Sequence, residues 1–226
     1  MIVANEKSLE DILEMVREYD RILVLGCGTC TTVCRSGGEK EAEGLAAKLR
    51  ERLGLIGPDK EVRAASIERQ CEADFLRSFL PQAEWADAVV SLACGAGVQS
   101  LVQMLHRTPV LPGLDTSFIG SYTGEGTWVE MCRACGECVV HLTGGVCPVT
   151  RCAKKLLNGP CGGSKEGYCE VGQGKHCAWH QIYERLRALG KTGRFEDLAP
   201  VKRWTPDQED VGPRRRVFKG VGQNWK

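Results

Sequence analysis

Apolar positions follow two different periods along the first half of the chain. Over residues 8–19, Leu9, Ile12, Leu13 and Val16 recur at i, i+3, i+4 and i+7, which predicts an amphipathic helix. Ser8 suits its N-cap, and Glu10 and Asp11 suit its positive end. Residues 21–25 form instead a short apolar run, as in a parallel strand covered on both faces. Helical spacing returns with Ala42, Leu45, Ala46, Leu49 and Leu53, and Gly54 offers a stop. A second strand is expected over 61–67, followed by a helix through Phe75, Leu76, Phe79 and Leu80 that Pro81 ends. A third strand over 86–93 leads to a helix through Val98, Leu101, Val102 and Leu105, and a short fourth strand lies at 109–112. The alternation predicts an α/β fold, with an N-terminal doubly wound (Rossmann- or flavodoxin-like) parallel sheet.

The pattern weakens after that. Residues 113–131, with Gly113, Gly120, Gly124 and Gly126 among polar neighbours, read as a connector. This places a boundary near 125, between an α/β domain at 1–125 and a cysteine-rich domain at 126–195. Within the latter, Thr150 to Leu157 suit a short helix stopped by Asn158-Gly159-Pro160. A clearer helix follows Cys177, with Trp179, Ile182, Tyr183 and Leu186 on one face and Gly190 at its end. From Lys191 onward the chain carries nine Lys/Arg against five Asp/Glu, including Arg214-Arg215-Arg216, with Trp204, Phe218 and Trp225 interspersed. The segment 196–226 is therefore read as an extended tail suited to docking a partner, since Arg and aromatics are common interface anchors.

Cysteine usage changes the picture most. The chain has thirteen cysteines, an odd number, and no signal-peptide pattern at its N-terminus, so a disulfide framework is not expected. Eight lie between 132 and 177: Cys132, Cys135 and Cys138 at two-residue gaps, Cys147 before Pro148, then Cys152, Cys161, Cys169 and Cys177. C-x2-C-x2-C with a distant C-P is how small ferredoxins hold iron–sulfur clusters, although their last gap is shorter. Two-residue gaps let one tight turn present three thiolates to a cluster. Four thiolates also suit tetrahedral zinc, so zinc at one site is the alternative to iron. The expected second domain is thus a small ferredoxin-like iron–sulfur domain with up to two 4Fe–4S clusters.

The other five cysteines fall where an α/β sheet collects ligands. Cys27, Cys71 and Cys94 each stand at or just beyond the end of an expected strand, and Cys30 and Cys34 occupy the glycine-rich loop after the first. Those ends border one crevice in open parallel sheets. Four of Cys27, Cys30, Cys34, Cys71 and Cys94 would hold one further 4Fe–4S cluster, leaving one spare. The plainer reading of Cys71 or Cys94 is a small buried side chain.

Composition excludes more than it assigns. A net charge of +1 gives no field to recruit nucleic acid or a membrane surface, and no apolar run is long enough for a membrane span. A reducing cytoplasm is the expected compartment. The dinucleotide fingerprint, P-loop, nucleophile elbow and H-E-x-x-H are all missing. His106, His141, His176 and His180 form no acid–base set, and His176 and His180 beside Cys177 are read as surface groups rather than ligands. A chain rich in cluster ligands and poor in catalytic groups reads as an electron conduit. Its rivals are a zinc-stabilised scaffold and an enzyme whose three-cysteine cluster keeps an open iron.

Three stretches carry a resemblance to a known family. Cys132-Arg133-Ala134-Cys135-Gly136-Glu137-Cys138, Thr143-Gly144-Gly145-Val146-Cys147-Pro148-Val149-Thr150-Arg151-Cys152-Ala153-Lys154, and Leu156-Leu157-Asn158-Gly159-Pro160-Cys161-Gly162-Gly163 resemble the methylenetetrahydrofolate reductase C-terminal domain family. Cys177-Ala178-Trp179-His180-Gln181-Ile182-Tyr183-Glu184-Arg185-Leu186 fits the same pattern. Gly26-Cys27-Gly28-Thr29-Cys30 and Leu92-Ala93-Cys94-Gly95-Ala96-Gly97 look like the MetV family of small subunits of that reductase. The resemblance implies an iron–sulfur, sometimes zinc, accessory subunit in methylenetetrahydrofolate reduction. The implied partner is a flavin-containing catalytic subunit, a (β/α)8 barrel of MetF type, with a further electron-donor subunit as a second candidate. Folate and flavin chemistry would reside in the partner.

Overall fold

The computed structural model describes residues 1–57, 59–172, 174–202 and 204. The chain divides into two compact units, Met1–Met131 and Cys132–Lys226. The first is mixed α/β, built on a parallel four-stranded sheet. It opens with β1 (Ile2–Glu6), α1 (Leu9–Val16), β2 (Arg21–Cys27), α2 (Cys30–Val33) and α3 (Glu39–Gly54). It continues with β3 (Glu61–Ile67), α4 (Ala73–Ala83), β4 (Ala88–Leu92), α5 (Gly95–Met104) and β5 (Val110–Pro112), and ends on β6 (Leu114–Gly124) and β7 (Thr127–Cys132).

The parallel sheet runs β3-β2-β4-β5. Its winding reverses between β2 and β4, which pair from Ile22↔Ala88 to Gly26↔Leu92. Period-two alternation sorts the side chains between two cores. Ile22, Val24, Val90 and Leu92 pack with Ile12 and Val16 of α1 and with Ala42, Ala46, Leu49 and Leu53 of α3. Leu23, Leu25 and Val89 pack with Leu76, Phe79 and Ala83 of α4 and Leu101 of α5. Each fully buried aliphatic side chain contributes about 1.5–3 kcal/mol. Ser8 caps α1, its Oγ accepting from Asp11 N at 3.0 Å. The start of α3 is closed differently, with Gly38 N donating to Glu41 Oε2 at 2.8 Å.

Three expectations are corrected here. Pro81 does not end α4, which continues to Ala83. Buried Phe79 and Ala83 hold its apolar face to the sheet on both sides of the proline, against the lost hydrogen bond and the ring's clash with the preceding turn. Residues 113–131 are not a connector but the hairpin β6–β7, and β6 pairs antiparallel with β1 in a second sheet of order β1-β6-β7. The expected boundary near 125 falls in the turn of this hairpin, where Glu125 and Gly126 both have positive φ (50° and 74°), as a two-residue type I′ connection requires. Finally, the helix expected over 150–157 is only α6 (Pro148–Arg151), and Lys155 takes a left-handed φ of 53° that a helix does not accommodate.

The second unit has one long element, α7 (Ala178–Ala188). Trp179, Ile182 and Leu186 are its buried stripe, and Cys177, Cys152, Cys169, Leu156 and Phe195 pack on it. Leu189 caps the helix, and Gly190 follows with a φ of 66°. Arg214-Arg215-Arg216, Phe218 and Trp225, the core of the tail offered as a docking segment, lie outside the described residues.

Candidate metal centres

The first centre is built by the ends of three parallel strands. Cys27 is the last residue of β2, in register with Ile67 at the end of β3. Cys94 lies two residues past β4 and occupies the N-cap of α5. Cys71 lies four residues beyond β3 in the segment before α4. The loop after β2 is folded tightly against this edge. Thr31, fully buried, donates Oγ1 to Leu92 O at 2.9 Å and to Cys27 O at 3.2 Å, and Thr32 Oγ1 donates to Cys27 O at 2.7 Å. Gly37 must be glycine, because a Cβ there would stand 2.1 Å from Leu92 O.

The five thiols of this unit meet different surroundings. Cys27 is buried, with Sγ 3.8 Å from Thr29 Oγ1; Cys30 and Cys94 are half-buried; Cys71 stands at the surface. Partial burial pushes the Cys71 thiol up from its ordinary value, and the neighbouring thiols of Cys94 and Cys27 push it the same way. All three stand at or beyond neighbouring strand ends on one edge of the parallel sheet, and Cys30 opens the short helix after β2. Cys34 differs. Its side chain is buried, with Sγ 3.0 Å from Ser36 Oγ, 3.6 Å from Thr31 O and 3.9 Å from Ala4 O of β1.

The second unit carries the other eight. Cys132, Cys135 and Cys138 lie on a sharply turned stretch in which Ala134 and Gly136 have φ of 50° and 91°. There the backbone N–H of Ala134 points at Cys132 Sγ, 3.3 Å away. Cys147 precedes the proline that opens α6, and Cys152 closes that helix. Cys177 belongs to the apolar cluster of α7, and Cys152 and Cys169 each pack against it. Cys169 N donates to Lys175 O at 2.8 Å and Cys177 N to Gly167 O at 2.7 Å, so a small folded loop presents both. Tyr168 stacks on His176 across this loop, with ring centres 5.0 Å apart. Cys161 Sγ lies 3.6 Å from Glu170 Oε1, and Glu170 pairs with Lys154. That lysine holds the Glu170 carboxyl below the usual range, and Glu170 raises Lys154 in turn.

All thirteen cysteines are free thiols. Among the described residues, no group of three or more His, Cys, Asp or Glu side chains is placed so that it could hold a metal ion. No described helix is long and apolar enough to cross a membrane.

Residues 111–205 match the family model described as methylene-tetrahydrofolate reductase C terminal. The match relates this segment to methylenetetrahydrofolate reductase. It begins at β5, runs through the β6–β7 hairpin and takes in all eight cysteines from Cys132 to Cys177. No curated protein and no solved structure gives a significant match to the chain. Two side chains at the first centre, Thr31 and Gln70, carried no signal in the sequence. Both are buried polar residues whose bonds go to backbone carbonyls far away in the chain.

Proposed function

We propose that this chain is the iron–sulfur subunit, of MetV type, of a methylenetetrahydrofolate reductase complex. It relays electrons between a donor and the flavin of a MetF-type catalytic subunit during reduction of methylenetetrahydrofolate to methyltetrahydrofolate. One observation carries the reading: eight free thiols, ordered C-x2-C-x2-C then C-P, all lie within the segment that matches the reductase family model. The donor set supports iron–sulfur ligation. It is all thiol and uncrosslinked, and an N–H group already faces a sulfur at Cys132. Soft thiolates select this class of metal, and such N–H groups tune cluster potential.

In this reading Cys27, Cys30, Cys71 and Cys94 hold one 4Fe–4S cluster and Cys34 is the spare. Cys132, Cys135, Cys138, Cys147, Cys152, Cys161, Cys169 and Cys177 hold up to two more. Such clusters accept and release single electrons. The chain's own residues keep the thiols gathered: Thr31 and Thr32 hold the Cys27 loop, and the apolar stripe of α7 shields Cys152, Cys169 and Cys177 from water.

The deciding experiment measures iron, zinc and acid-labile sulfide per chain on protein purified without oxygen, with its visible spectrum. About twelve irons with matching sulfide are expected. Zinc alone, with no visible absorption, would leave a zinc-stabilised scaffold and overturn the relay.

A further inference from the structure

Gln70 is fully buried, whereas its neighbour Cys71 stands at the surface. Its carboxamide joins three parts of the first unit. Nε2 donates to Leu25 O at 2.9 Å and to Gly26 O at 3.1 Å, at the end of β2. Oε1 accepts from Ser91 Oγ of β4 at 2.6 Å, and Ser91 Oγ in turn accepts from Ala93 N at 3.3 Å, beside Cys94. The first turn of α5 also closes on this side chain: a Cβ at Gly97 would stand 3.0 Å from Gln70 Cβ and 2.6 Å from Ala93 Cβ. Burying an amide costs free energy unless its hydrogen bonds are made, and here they are made to two strand carbonyls and a buried hydroxyl. What the amide adds is directional. It fixes the segment after β3 to the ends of the two strands that precede Cys27 and Cys94. Within that segment Arg69 pairs with Glu72 at the surface, and exposed pairs hold weakly.

We infer that Gln70 is a positioning residue of the first thiol centre, holding Cys71 within reach of Cys27 and Cys94 by anchoring its carboxamide to the ends of β2 and β4. This rests on the reading that these cysteines hold a cluster. A loop residue thereby completes a set that the strand ends alone supply only in part.

The test uses the full chain, purified without oxygen, as wild type and as Gln70→Leu, Cys71→Ala, Cys27→Ala and Leu76→Val. Gln70→Leu keeps the packing volume and removes the amide; Leu76→Val loosens the same unit's core away from the thiols. Iron and sulfide per chain, the electron paramagnetic resonance signal of the reduced protein and the melting temperature are read for each. Gln70→Leu and Cys71→Ala are expected to lose the same share of iron, about one cluster in three. Leu76→Val is expected to lower the melting temperature and keep its iron. Full iron and an unaltered signal in Gln70→Leu would overturn the inference, and so would equal iron loss in Leu76→Val. If Cys27→Ala also keeps its iron, the first unit binds no cluster, and the reading beneath the inference falls with it.

Discussion

Cys30 and Cys34 stand one helical turn apart, yet Cys30 is half-buried and Cys34 buried. Cys34 spends its sulfur on Ser36 Oγ and on the carbonyls of Thr31 and Ala4, inside the core. Cys34→Ala should therefore leave iron content unchanged, whereas Cys30→Ala should remove about four irons per chain while the fold survives. Iron analysis of the two variants side by side decides this. Elsewhere in the same unit, Asp87 joins the starts of β2 and β4. Its carboxylate accepts from Arg21 N at 2.9 Å and from the Arg21 guanidinium at 2.7 Å. These bonds hold Asp87 below the usual carboxylate range, the guanidinium first and the backbone N–H second. A carboxyl depressed in the folded state stabilises above its unfolded pKa of about 4, and that contribution is lost as pH falls through the lower folded value. Asp87→Asn should thus lower the urea midpoint of the metal-free chain at neutral pH and make no difference at strongly acid pH. The effect should be small, because the pair is exposed. The cysteines of 132–177 could be singled out as candidates at this scale because their spacing is local. Gln70 and Thr31 were not, because their meaning lies in carbonyls that only the folded sheet brings near.

At the scale of elements, legibility followed burial. The strands β2 and β4 are buried along nearly their whole length and stood out as apolar runs. The α3 stripe was equally plain, since Ala42, Ala46, Leu49 and Leu53 are all buried. Leu49→Ala should cost about 2–5 kcal/mol, read from denaturant unfolding, because the site is fully enclosed. The β6–β7 hairpin was missed for the opposite reason. Only Leu114 and Gly120 of β6 are buried, so no alternation marks the strand, and Glu125-Gly126 is a weaker turn signal than Asn-Gly. In the second unit the apolar stripe of α7 was legible, whereas the paths between its cysteines carry no periodicity at all. Trp179 anchors that stripe, donating Nε1 to Leu156 O at 3.1 Å and meeting Phe195 edge-on. Trp179→Ala should cost about 3–5 kcal/mol, measured as an earlier thermal transition of the second unit.

For the whole molecule, the family match and the compact units do not share a boundary. The match begins at residue 111, inside the first unit, and includes the hairpin that pairs with β1. The N-terminal amine itself donates to Gly120 O, 119 positions along the chain. This pairing governs the order in which the protein can be made. During synthesis β1 emerges well before β6, so its hydrogen-bonding edge finds no partner until residues 114–119 have followed. Contacts of such sequence separation are slow to form, and an unpaired edge is open to association with other chains in the meantime. The parallel sheet, whose last strand ends at Pro112, can assemble before that moment. β1 is thus among the last elements of the first unit to be secured, although it is made before the rest of that unit.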